Sequence, residues 1–364
     1  MSDVYKRLAM KLDQLPQGYP ATENGIELKI LRKVFSSEDA EMALKLRPIP
    51  ETTEAIAERL GTPVETMRIT LDAMAKKGQI ASHTRKGEQV YAFIPFFPGL
   101  WEYQVLLADP DKDKEILELC EEYFSFAMKK LGGYEPGVLR TVPINVHIES
   151  GSQVQRYEDV RKIVEQAQSF LVQDCQCRKE QKILGHGCDH TIENCLNFST
   201  EENAYDYFNL SGRIISKEEA VKILEKAEEE GLVHNVVYNT RQGHMAICNC
   251  CPCCCAALRG VKKFEAPYLI ARSNFVAVID QDTCTNCGVC ADERCPMDAI
   301  IEDDDEYKVL PHACIGCGVC TLTCPTESIT LFKRSDSVQN KPADNMKDWS
   351  IKRAASRGIE LKFE

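Results

Sequence analysis

Cysteine is the residue type in this chain best equipped for chemistry: there are nineteen, and a thiolate serves as nucleophile, redox group and soft metal ligand. Apart from Cys120 they fall in two blocks, ten between Cys175 and Cys255 and eight between Cys284 and Cys324. Disulfide frameworks belong to small secreted domains, whereas tightly grouped thiols in a chain without an export pattern are more often metal ligands. The odd total is no obstacle to metal binding.

The second block reads Cys284-Thr-Asn-Cys287-Gly-Val-Cys290, then Cys295-Pro296, and later Cys314-Ile-Gly-Cys317-Gly-Val-Cys320-Thr-Leu-Thr-Cys324-Pro325. Two intervening residues let the backbone curl around a cube of iron and sulfide, and Gly288, Gly316 and Gly318 relieve crowding where it passes close to sulfide. The segment resembles the bacterial two-cluster 4Fe-4S ferredoxin. In that family each run gives three cysteines to one cluster and its fourth to the other. The resemblance therefore implies one 4Fe-4S cluster on Cys284, Cys287, Cys290 and Cys324 and a second on Cys295, Cys314, Cys317 and Cys320. One departure is visible, since four residues rather than three separate Cys290 from Cys295, and it bears on the potential of the second cluster. Ile300, Ile301, Ile329 and Leu331 are expected to supply strand cover, because burial and hydrogen bonds to sulfur set reduction potentials. A zinc ribbon is the rival reading, and two proline-terminated four-cysteine runs in tandem weigh against it.

The first block reads Cys175-Gln-Cys177-Arg178, Gly187-Cys188-Asp189-His190, Cys195, and Cys248-Asn-Cys250-Cys251-Pro-Cys253-Cys254-Cys255. These are more thiols than one mononuclear site can use. They suit a third centre, an additional iron–sulfur cluster or zinc, with ligands drawn from Cys175, Cys177, Cys188 and Cys195 on one side and Cys248, Cys250, Cys251 and Cys254 on the other. A thiol redox site and simple burial as small apolar side chains are the alternatives. His186, His190, His234 and His244 stand nearby, and each taken singly reads as a surface or packing residue.

Several elements must position these groups, and the class they imply is α+β. Residues 1–24 read as an N-terminal arm. Residues 25–97 resemble a winged-helix domain. Ile26, Leu28, Leu31 and Val34 form one helix face, Ser37 opens a second helix, and Thr62-Pro63-Val64-Glu65 reads as a capping box after the turn at Gly61. Residues 79–94 then alternate as a hairpin around 85–88. Residues 98–270 form a mixed α/β, cysteine-rich middle domain, with helices expected at 111–131 and 157–168 and an extended stretch at 138–148. Ser216 and Glu219 make a capping box for a further helix closed by Gly231. That helix lies between the two cysteine groups in sequence, and is expected to bring them together as walls of one site. Residues 271–334 are the ferredoxin segment, and 335–364 a polar tail in which 335–348 is the stretch expected to be disordered. The order of winged helix, Cys-x-Cys-Arg, Cys-Asn-Cys-Cys and dicluster segment resembles a group of 4Fe-4S dicluster proteins of anaerobic bacteria and archaea.

The chain carries 44 Lys and Arg against 56 Asp and Glu, a balance that repels nucleic acid and anionic lipid. Residues 275–334 are more lopsided, with eleven acidic residues against four basic ones. The charged N-terminus has no signal-peptide pattern and no apolar run could span a membrane, so the expected compartment is the cytoplasm. No dinucleotide or P-loop fingerprint is present, so any flavin or nicotinamide source would lie in another chain. These features imply an electron-transfer protein or subunit of an oxidoreductase system, whose partner is a redox protein. Two alternatives stand beside it, a redox-responsive regulator with the winged helix on DNA, and an enzyme whose middle cysteines carry out a reductive or sulfur-transfer reaction. Near-neutral charge over residues 25–96, eleven basic against ten acidic, counts against DNA.

Overall fold

The structure, a computed structural model, describes residues 3–144, 148–150, 152–208, 210–263 and 266–361. Asp3 caps helix α1 (Val4–Asp13) by accepting the Tyr5 amide hydrogen. Leu8 and Leu12 on that helix are fully buried, so what the sequence suggested as an arm belongs to the main core. Helix α2 (Ile26–Val34) follows, then α3 (Ser37–Lys45), whose cap is Ser36 rather than Ser37 because the Ser36 hydroxyl accepts the Asp39 amide hydrogen. Strand β1 (Glu51–Thr52) precedes α4 (Thr53–Leu60), and Gly61 at φ +62° closes that helix. The expected capping box does not form at α5 (Val64–Lys76): Pro63 occupies the cap position, and the Thr62 hydroxyl turns back to the Leu60 carbonyl at 3.5 Å. Strands β2 (Ala81–Arg85) and β3 (Glu88–Ala92) make a hairpin, its two-residue turn Lys86-Gly87 at positive φ. The hairpin leans on the middle region, with the Thr84 amide donating to the Ala204 carbonyl at 3.2 Å and the Lys86 amide to Glu201 at 2.9 Å.

Helix α6 (Trp101–Leu107) leads to α7 (Lys114–Leu131). The long helix starts three residues later than its apolar pattern suggests, because the Asp109 and Asp113 carboxylates capture the Asp111 and Asp109 amides in a preceding turn. Next come β4 (Leu139–Thr141), α8 (Val160–Val164), β5 (Ser169–Asp174), α9 (Gln176–Leu184), β6 (Glu193–Ser199), β7 (Arg213–Ile215), α10 (Lys217–Glu229), β8 (Val233–Val237), β9 (Ala246–Cys250), α11 (Ala256–Lys263) and β10 (Ile270–Ala271). The stretch expected to be extended is regular only at β4, and its residues 145–147 lie outside the described ones. The helix expected at 157–168 is a single 3-10 turn, Arg156–Glu158, followed by the short α8.

Seven of these strands form one sheet in the order β10-β4-β8-β9-β6-β5-β7. Side chains alternate across a sheet, and here the alternation divides core from site. Leu196, Ile247 and Val236 face α8 and α10, where they pack with Ile163, Ala220 and Leu224. Cys195, Cys248 and Cys250 therefore face the opposite side. The Ser216 hydroxyl caps α10 by accepting the Glu219 amide hydrogen, so Ser216→Ala should cost about 1 kcal/mol, read as a lower urea midpoint with an unchanged slope.

Strands β11 (Phe275–Ile279) and β14 (Ile329–Lys333) pair antiparallel, as do β12 (Ile300–Asp303) and β13 (Glu306–Val309). Ile300, Ile329 and Leu331 are buried, but Ile301 points outward at 40% exposure and gives no cover. Gly316 sits where a Cβ would fall 2.1 Å from the Phe275 carbonyl oxygen, so only glycine lets this cysteine loop lie against β11. The polar tail is folded. The Arg241 amide donates to the Ala343 carbonyl at 2.8 Å, and helix α12 (Met346–Ser356) buries Trp349 and Arg353 completely.

Candidate metal centres

Each ferredoxin-type run curls around a small cavity. Cys284, Cys287 and Cys290 line one of about 20 Å³ together with Cys324 from the second run, roofed by Ile279, Tyr307 and Pro325. Cys314, Cys317 and Cys320 line another of about 20 Å³ with Cys295 from the first run, against Ala277, Ile300 and Ile315. The structure thus gathers the eight residues into the two groups that the resemblance implied. Local order is already directed at sulfur. The amides of Ala299 and Ser328 donate to the Cys295 and Cys324 sulfurs at 3.2 and 3.3 Å, contacts that favour thiolate and raise a cluster's potential. The two sites differ in exposure, since Cys287 is exposed while Cys314, Cys317 and Cys320 are buried.

The ten middle cysteines do not converge on one point. Seven of them line a cavity of about 50 Å³ between the sheet and the Phe97-Pro98 and Trp101-Glu102 segments: the six thiols of Cys175, Cys177, Cys195, Cys248, Cys250 and Cys255 in a continuous series, and Cys251, which also belongs to a second group. Cys175 occupies the cap position of α9 and Cys177 its first turn, while Cys195, Cys248 and Cys250 come from the free face of the sheet. Thiol contacts run from Cys195 through Cys248, Cys250 and Cys255 to Cys177 and Cys175. Hydrogen bonds from Cys248 and Cys255 hold the Cys250 thiol well below its ordinary value, which favours the thiolate there. Asn194 also lines this cavity, and its buried Nδ2 has no hydrogen-bond partner among the described residues. A donor of that kind, beside a ring of thiols around a space larger than either ferredoxin-type cavity, fits a polynuclear iron–sulfur centre.

The second group is Cys188, on the loop after α9, and Cys251, Cys253 and Cys254, on the turn between β9 and α11. All four sulfurs lie within 4.8 Å of one another. Cys253 and Cys255 were not among the candidates read from sequence; the Cys251-Pro-Cys253-Cys254 spacing was the available signal, a Cys-x-x-Cys knuckle hidden inside a longer run. Helix α10 does not form the wall expected of it, because it packs across the sheet from Cys195, Cys248 and Cys250. Its last turns reach the second group only, where Ala227 meets Cys251 and Cys254.

Arg178 is buried between the two groups, donating to the Thr191 and Asn249 carbonyls at 2.7 and 2.6 Å and to Asn194 Oδ1 at 2.8 Å. Burial opposes its charge, yet the Cys175 and Cys251 thiols beside it hold its pKa above the ordinary guanidinium value. The histidines serve other purposes. His234 is fully buried between Asn249 Oδ1 and Glu228, at 2.7 and 3.4 Å, and His244 meets the Thr240 carbonyl at 3.0 Å. Glu180 on α9 accepts the Trp101 indole N–H at 2.8 Å, and burial pushes its carboxyl from 4.5 up to about 8. The unfolded carboxyl ionises first, so the folded state loses stability as pH rises between about 4.5 and 8. Glu180→Gln keeps an acceptor for Trp101 and should flatten that slope in unfolding midpoints taken from pH 5 to 8.5.

Comparison with known proteins accords with this geometry. A family model described as the 4Fe-4S dicluster domain matches residues 277–325. An iron–sulfur protein of Rhodospirillum rubrum is 29% identical over 119 residues, covering 30% of this chain and 62% of that protein. A 7Fe ferredoxin of Hydrogenibacillus schlegelii is 46% identical over 37 residues, 10% of this chain and 47% of the ferredoxin. An archaeal-type NADPH glutamate synthase of Dehalococcoides mccartyi is 36% identical over 61 residues, 16% of this chain and 12% of the enzyme. The chain spans less than two thirds of the length of each of these relatives. No solved structure matches it. The chain carries a C-terminal 4Fe-4S dicluster domain, its cofactors are iron–sulfur clusters, and its relatives point to electron transfer. No helix among the described residues is long and apolar enough to cross a membrane.

Proposed function

We propose that the chain is an electron-transfer protein or oxidoreductase subunit that relays single electrons through two 4Fe-4S clusters. Cys284, Cys287, Cys290 and Cys324 hold the first, and Cys295, Cys314, Cys317 and Cys320 the second. The observation that carries this reading is the exchange of Cys324 and Cys295 between the runs, which completes each four-thiol cavity with a ligand from the other. A third polynuclear centre in the six-thiol cavity gives the electrons a local destination, making the chain a short wire. The Ile144 amide supports such a path, since it donates to the Cys317 carbonyl at 2.9 Å just beyond β4 of the large sheet. Bound there, a cluster would supply one-electron chemistry, while the protein's part is to exclude water and to offer Cys250 as thiolate. An enzymatic reductive or sulfur-transfer reaction at that cavity is the alternative reading, and it finds no support in Arg178, whose two terminal nitrogens are held by the Thr191 and Asn249 carbonyls and Asn194 Oδ1.

Iron and sulfide analysis with EPR on anaerobically purified protein tests the scheme. About eight irons per chain would confine clusters to the dicluster domain, and about twelve would place a third in the six-thiol cavity.

Residues 25–97 fit a winged helix used for packing. Its hairpin is hydrogen-bonded to residues 201–207, Arg68 is paired with Glu54, and Lys77 with Asp39. Those cations are spent within the protein, so the full chain should bind duplex DNA weakly and without sequence preference. Tight, sequence-selective binding at physiological salt would replace this reading with that of a redox-responsive regulator. The partner that suits the acidic dicluster domain is a redox protein presenting basic residues, because electron-transfer encounters are small and electrostatically steered.

A further inference from the structure

We infer that Cys188, Cys251, Cys253 and Cys254 form a separate mononuclear site that binds one zinc ion through four thiolates. Spacing decides the nuclearity. Thiolates about 2.3 Å from a single zinc stand about 3.8 Å apart at the corners of a tetrahedron. The Cys188 sulfur lies 3.9 Å from that of Cys251 and 3.5 Å from that of Cys254, and all four are mutually within 4.8 Å. A cube of four irons holds its thiolates farther apart than this. The same structure supplies the comparison: among the described residues no other group of three or more Cys, His, Asp or Glu ligand atoms is so compact, the ferredoxin-type quartets included.

The surroundings suit a closed structural site. Cys251 and Cys254 are fully buried against Ala227 and Leu232, Cys188 is half-buried, and Cys253 closes the outer corner. Four thiolates around Zn²⁺ leave a net double negative charge, and the buried Arg178 stands beside Cys251 as a fixed countercharge. The chain geometry supports one ion as well. Cys251 and Cys254 are separated by two residues, Cys253 lies between them, and Cys188 arrives from a different loop, so the ion cross-links the end of α9 to the β9–α11 turn. That turn also carries Cys255 and starts directly after Cys250, both of the six-thiol cavity. Zinc has no redox chemistry, so it fixes this wall without taking an electron. The inference stands apart from the electron-transfer reading, because it requires no cluster in the six-thiol cavity.

Metal analysis of the full chain, expressed with iron and zinc supplied and purified anaerobically, tests it. Wild type should carry one zinc, and Cys188→Ser and Cys253→Ser should each lose it while keeping the iron and sulfide of wild type. Loss of iron in place of zinc, or retention of zinc by both variants, would overturn the assignment. Should either variant fail to fold, X-ray absorption at the zinc edge of the wild-type protein decides: four sulfurs at about 2.3 Å support the site, and nitrogen or oxygen ligands, or no zinc, refute it. The electron-transfer reading would survive that failure, since it rests on iron alone.

Discussion

Cys287→Ala and Cys317→Ala should each lose iron and abolish the magnetic interaction between two reduced clusters, because each deletes the central thiolate of a different quartet. Their costs should differ. Cys287 is exposed and Cys317 buried, and the Cys317 carbonyl accepts the Ile144 amide hydrogen at 2.9 Å where the dicluster domain meets the middle region. Cys287→Ala is therefore expected to fold normally with up to about four irons missing, its remaining cluster giving an uncoupled EPR signal. Cys317→Ala should show the same spectroscopic loss with a lower unfolding midpoint. If both variants keep full iron and the wild-type coupled spectrum, the ligand assignment is wrong.

Trp349→Ala should destabilise the chain by about 3–5 kcal/mol, the range for deleting a fully buried aromatic side chain. The indole N–H donates to the Gly137 carbonyl at 2.9 Å, and the ring packs edge-on to Tyr238 with centroids 4.6 Å apart. One turn later the Arg353 guanidinium collects the carbonyls of Leu131, Tyr134 and Pro136 at 2.6–2.8 Å. These contacts hold the C-terminal helix over the loop between α7 and β4, so its release exposes both apolar surface and three carbonyls. Anaerobic denaturant unfolding would measure the loss. A change below about 1 kcal/mol would mean that the helix is not an integral part of the core.

Much of the local structure was legible because it depends on neighbours in sequence. The hairpin turn at Lys86-Gly87 and the Ser216 cap follow from residues a few positions apart, as does each three-cysteine curl. What escaped the sequence depends on partners far away. Helix α12 offers few apolar side chains beyond Trp349 and Ala354, and it is held by an arginine whose burial no hydropathy pattern announces, so it read as a polar tail. Helix α1 was hidden by its charges: Lys6 stays outside, but Lys11 turns inward to donate to the Ala43 and Leu44 carbonyls at 3.1 and 2.8 Å, and Asp13 accepts the Tyr19 amide hydrogen at 2.8 Å. Among the middle cysteines, spacing marked candidate ligands but could not partition them. Cys250 and Cys251 are adjacent in the chain, yet only Cys251 joins the compact quartet with Cys188, since one belongs to the end of a strand and the other to the turn that leaves it. The part expected of α10 failed for a related reason. Position between two cysteine groups in sequence does not say on which face of the sheet a helix will pack.

Strand β9 joins core and site within five residues, Ile247 facing one way and Cys248 and Cys250 the other. A strand has no neutral insertion point: one residue added before Ile247 would reverse every side chain after it, driving thiols into the hydrocarbon layer beneath α10 and isoleucine into the cysteine ring. Point changes at Cys248 or Cys250 alter one thiol, whereas a single-codon insertion or deletion in this strand disrupts core and thiol cavity together. Length variation between relatives should therefore gather in the loops that flank β9 and spare the strand itself.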